Sequence, residues 1–100
     1  MNSPYVLLLE MGFSGDRVRA FVDGHCVSEV ADVTTNMSVG LNGMAGRIEL
    51  QAAAGARLKL ELPERRITGT HQLSERRVLG CSVRGTSIVW SERDVEPVMF

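Results

Sequence analysis

One hundred residues, 44% of them hydrophobic and 23% charged, describe one soluble globular domain over residues 1–100, large enough to bury roughly 65% of the surface of its unfolded chain. Eleven basic side chains against twelve acidic ones leave a net charge of −1, so the positive field that steers proteins to nucleic acid is missing and no DNA or RNA partner is expected. No apolar run approaches the roughly 18 residues of a membrane-spanning helix, and Met1 to Glu10 has no basic region ahead of its short apolar run; the expectation is a cytoplasmic chain with no membrane contact.

Along the chain, apolar and polar residues alternate in short segments bounded by Gly, Pro, Asn or Asp, which is the pattern of half-buried strands. The first is Tyr5 to Met11, which carries no charge before Glu10. The next two, Arg17 to Val22 and His25 to Val33, flank Asp23-Gly24. Asp-Gly between alternating segments predicts a type I′ hairpin, because that turn needs positive φ at both central residues. Further strands are expected at Met37 to Leu41, Arg47 to Ala53, Arg57 to Leu62 and Ile67 to Leu73. In the sixth, Leu58, Leu60 and Leu62 share one face and Arg57, Lys59 and Glu61 the other, and Pro63 ends it because proline cannot donate to a ladder. Val78 to Val83 and Ser87 to Ser91 form a second hairpin around Arg84-Gly85-Thr86. The alanine run Gln51 to Ala56 is interrupted by Gly55 and reads as a strand end or loop rather than a helix.

The fold class is therefore all-β: an antiparallel two-sheet sandwich of immunoglobulin-like or jelly-roll type with about 7 to 9 short strands, a partly open barrel being the second choice. An uncharged first strand would favour self-association if it lay at a sheet edge, and the apolar end Val98-Met99-Phe100 would dock on this domain or on another copy.

No stretch carries the constellation of a known chemistry. His25, Cys26, His71 and Cys81 are the residue types of a zinc site, but neighbours on a strand point to opposite faces, so no metal and no cofactor is expected. The two cysteines lack C-x-x-C spacing and read as small buried hydrophobes, with a disulfide between them as the minor alternative. Gly12-Phe13-Ser14-Gly15 lacks the strand-to-helix context of a nucleophile elbow. The glycine-rich run Gly40 to Gly46 has neither phosphate-loop spacing nor a following helix, and reads as a strand connection. Trp90 alternates with Ile88 and is assigned to the core rather than to a sugar-stacking platform.

Charge is uneven: residues 1–50 hold three Arg against six acids, and residues 51–100 hold eight Lys or Arg against six. The second half contains the doublets Arg65-Arg66 and Arg76-Arg77, each preceded by a glutamate, Glu64 or Glu75, that would neutralise it on a loop. Arg pairs also grip carboxylates and phosphates. Arg65, Arg66, His71, Arg76 and Arg77 are accordingly the candidate ligand-binding residues; no residue is assigned a catalytic or metal-binding role.

The hairpin Val18-Arg19-Ala20-Phe21-Val22-Asp23-Gly24, with Val33-Thr34-Thr35, Val39-Gly40-Leu41 and Arg57 to Pro63 after it, resembles the small bacterial β-sandwich domains with a V-x-V-D-G hairpin, of which PEGA-type surface domains are one example. The layout is similar as well to a family of stand-alone bacterial domains of about this length. The resemblance covers about residues 17–63 and implies binding or scaffolding. The functional expectation is a non-catalytic interaction module that recognises a protein, a carbohydrate or a second copy of itself as a homodimer. The alternative is a small enzyme, or a protein binding an anionic ligand or carbohydrate, with its site near His71 and the Arg pairs; a deep pocket would favour that alternative, an open strand edge or flat patch the module.

Overall fold

The fold is that of a computed structural model, which describes residues 2–34 and 46–93. Eight strands follow one another: β1 (Ser3–Leu9), β2 (Asp16–Val22), β3 (His25–Val33), β4 (Gly46–Ala52), β5 (Arg57–Leu62), β6 (Ile67–Gln72), β7 (Val78–Arg84) and β8 (Ser87–Arg93). Each lies within a residue or two of its expected span. The strand expected at Met37 to Leu41 and the apolar end Val98 to Phe100 lie outside the described residues, as does the glycine-rich run up to Gly46.

The strands form two four-stranded sheets, ordered β4-β1-β7-β8 and β3-β2-β5-β6, packed face to face as a β-sandwich. All pairings are antiparallel except that of β1 with β7. That parallel pair makes β1 a central strand. Val6 to Leu9 is paired on both sides, and Tyr5, Leu7 and Leu9 are buried in the core. The uncharged strand, expected to favour self-association if it lay at an edge, is used inside its own sheet.

The core follows from the alternation. Leu58, Leu60 and Leu62 of β5 are buried against Leu7, Leu9 and Leu79 of the other sheet, and each buried leucine contributes roughly 1.5–3 kcal/mol relative to an exposed one. Asp23 and Gly24 have φ of 49° and 86°, as the type I′ turn requires. The turn is tied to β5: Asp23 N donates to the Arg57 carbonyl at 2.9 Å, and Arg57 N donates to Asp23 Oδ1 at 3.0 Å.

Among the described residues the two sheets leave four edge strands. β3 and β4 come together along one side of the sandwich and β6 and β8 along the other. β3 is broken by two irregularities of register against β2, between Asp16 and Val18 and between Ala20 and Phe21. β6 pairs with β5 without any shift.

Candidate functional site

Two polar constellations lie along the β6 side. The first closes the seam between the sheets. His71 of β6 sets Nε2 2.9 Å from Glu92 Oε2 of β8, and Ser74 Oγ donates to Glu92 Oε1 at 3.1 Å. An ionised carboxylate only accepts, so the imidazole proton is on Nε2. The His71 ring stacks on Trp90, centroids 5.2 Å apart and planes inclined by 20°. Gly69 lets the strands approach: a Cβ there would lie 2.7 Å from Ile88 Cβ. The hydrogen bond from His71, helped by Ser74 and the nearby Arg76 charge, holds the Glu92 carboxyl below its ordinary value of 4.5, against the partial burial that raises it. Trp90 is half-buried and packs against the core, in keeping with its assignment.

Chemically, this seam is a clasp. Nucleophilic catalysis needs a base on the hydroxyl, whereas here the carboxylate stands between Ser74 and His71 and binds both.

The candidate arginines are not gathered around it. Arg65 lies in a single 3-10 turn, Pro63–Arg65, at the start of β6, while His71, Arg76 and Arg77 follow at its far end, about 17 Å away at roughly 3.3 Å per residue. Glu64 does not neutralise Arg65. Its guanidinium instead grips Asp16, Nε to Oδ1 at 2.9 Å and Nη2 to Oδ2 at 2.8 Å, and donates to the Gly12 carbonyl at 2.8 Å. Asp16 also accepts from Ser14 N at 2.8 Å and is the only buried polar or charged side chain among the described residues. Arg66 ends the turn in the left-handed region, φ 56°, and is exposed. Arg76 and Arg77 are exposed on the β6–β7 connection, where the Arg77 carbonyl accepts from Val6 N at 2.8 Å.

Of the zinc-type residues, His25 and exposed Cys26 start β3, while Cys81 is buried in β7. Both thiols are free. The expectation of two buried cysteines thus holds for Cys81 alone, because Cys26 pairs with Phe21 on the outer face of an edge strand. No group of three or more His, Cys, Asp or Glu side chains suited to a metal occurs among the described residues.

The second constellation lies on the outer face of the β3-β2-β5-β6 sheet, in an open groove of about 640 Å³ lined by Asp23, Arg57, Lys59, Thr70 and Gln72. Register builds it: Lys59 lies opposite Thr70 and Arg57 opposite Gln72. Lys59 Nζ rests 4.5 Å from the centroid of the Phe21 ring. Farther along the same face, Arg19 bridges Glu29 at 2.6 Å and Glu61 at 3.5 Å. The two outward cations of β5 were visible in the alternation, but their polar partners on β6 were not, because register depends on which strands pair.

No family model matches the chain, and no curated protein or solved structure matches it significantly.

Proposed function

We propose that this chain is a non-catalytic interaction module that docks its partner along an open sheet edge. The observation that supports the reading is β6. Natural edge strands are guarded by charge, proline or bulges: β3 has its irregularities of register, and β4 displays Arg47 and Glu49. β6, Ile67–Gln72, has no charged residue, no proline and no register shift, and Thr68, Thr70 and Gln72 are exposed along it. Beside it the groove is open to solvent and lined mostly by polar side chains, which suits an extended segment lying on a surface better than a substrate enclosed for reaction. His71, Ser74 and Glu92 bind one another across the seam, which favours a structural clasp there over an activated nucleophile.

Selection from a random peptide library on the immobilised domain tests this. The module reading expects enrichment of extended sequences that compete for one site and perturb the amides of an edge strand. A selection that enriches nothing above the bare support would overturn it.

A further inference from the structure

We propose that the partner is an acidic, extended polypeptide segment that adds as a strand to the free edge of β6, with alternate carboxylates read by Arg57 and Lys59. The inference rests on the module reading above and names its edge and its chemistry.

The backbone comes first. Leu73 N donates to the Ala56 carbonyl at 2.9 Å, and these two residues continue the register in which Arg57 faces Gln72. Bonded and non-bonded pairs alternate along an antiparallel ladder. The Leu73 N–H, and its C=O, which accepts from Gly55 N at 2.7 Å, therefore point towards the β5 side, and Arg57–Gln72, Lys59–Thr70 and Glu61–Thr68 are non-bonded pairs. The N–H and C=O groups of Gln72, Thr70 and Thr68 point away from β5, towards the side where β6 has no further strand among the described residues. They form a row ready to pair with an incoming chain.

The side chains supply selectivity. A strand beside β6 would run about 4.8 Å from it, and every second side chain would stand on the outer face at a repeat of roughly 6.8 Å. Arg57 and Lys59 repeat at that same spacing on the next strand inwards, opposite Gln72 and Thr70, and both line the groove; Lys59, at rest over the Phe21 ring of β2, would swing across Thr70 to meet a carboxylate. Among the described residues Arg57 and Lys59 form no ion pair with a carboxylate, and Lys59 rests on the Phe21 ring. Two cations face one acid in the groove, Asp23, which already accepts from Arg57 N. Glutamates at alternate positions would reach both cations across Thr70 and Gln72, whose hydroxyl and amide add donors. The third outward residue of β5 is Glu61, bound to Arg19, so a carboxylate one step farther along would be repelled. The site thus reads an acid-x-acid pair and rejects a longer acidic run.

The test uses the whole chain and the acetylated, amidated peptide Thr-Val-Glu-Val-Glu-Val-Thr, titrated in amide-resolved NMR. The expected result is saturable shift changes at Thr68, Thr70 and Gln72. Binding should fall about tenfold for the Arg57→Gln, Lys59→Gln double variant, on the scale of two exposed ion pairs. It should be lost for a peptide with Lys at both Glu positions, and for one N-methylated at alternate backbone nitrogens on its pairing edge. Those two peptide controls leave the protein untouched, so they judge the proposal even if the double variant folds poorly. Equal binding of the N-methylated peptide would overturn strand addition, and equal binding of the Lys peptide would overturn the reading of carboxylates. Concentration-dependent shifts at β6 without peptide would give the edge to a second copy and overturn the proposal likewise. Failure of the acidic peptide while library selection yields uncharged ligands for the same edge overturns this inference and leaves the module reading standing.

Discussion

Glu92 of β8 accepts from His71 of β6 at 2.9 Å, a charged hydrogen bond that joins one sheet to the other. The consequence is a defined acid sensitivity. The carboxyl is held below its ordinary value of 4.5 in the folded state, so the contribution of the clasp is fully present above about pH 4.5 and is lost as pH falls through the lowered folded value. Glu92→Gln abolishes that titration. Thermal unfolding from pH 3 to 7 should show the wild type more stable than the variant near neutrality, with the gap narrowing as pH falls. A gap that stays constant across the range would exclude the clasp as its origin.

Asp16 is the buried anion that anchors Arg65 and the loop before β2. Asp16→Ala removes the carboxylate that Arg65 and Ser14 N bind, and because Arg65 keeps the Gly12 carbonyl and is 31% exposed and partly resolvated the cost is about 2 kcal/mol, below that of a fully buried pair. Urea unfolding measures it. A change below about 0.5 kcal/mol, the scale of an ordinary surface substitution, would show that the pair is dispensable.

Gly24 occupies the second positive-φ position of the β2–β3 turn at 86°. A Cβ there meets nothing within 4 Å, so the penalty of Gly24→Val is purely conformational, about 1 kcal/mol or more. Thermal unfolding indistinguishable from wild type would contradict that backbone geometry. Gly12 is a different case: its φ is 87° and an added Cβ would collide with the Val83 carbonyl oxygen, so Gly12→Ala should be the more damaging change in the same assay.

The cysteines should differ in reactivity. Cys26 is exposed and free, whereas burial, with the Glu10 charge acting in the same direction, pushes the Cys81 thiol well above its ordinary range. Since the thiolate is the reactive form, a thiol-specific reagent at neutral pH should titrate one group in the native protein and two after denaturation. Cys26→Ser should remove the native reaction. Rapid modification of both thiols in the folded protein would show that Cys81 opens to solvent.

Local chemistry in the sequence determined the strands and their turns. Period-two alternation such as Arg57 to Leu62 admits only one arrangement with the leucines inside, and Asp23-Gly24 selects its turn through the φ values the turn demands. What only the tertiary structure decided is which strands became neighbours. The parallel pairing of β1 with β7 brings Val6 beside Val78 across most of the chain, and no local pattern encodes a partner so far away, since a strand offers the same backbone groups to any neighbour. The same indifference hid the ends of the ion pairs: Arg65 next to Glu64 in sequence chose Asp16 in space, and His71 chose Glu92. It hid the edge as well. That β6 is outermost, with Thr70 opposite Lys59 and Gln72 opposite Arg57, is a property of sheet order and register, which the burial of the whole core sets at once.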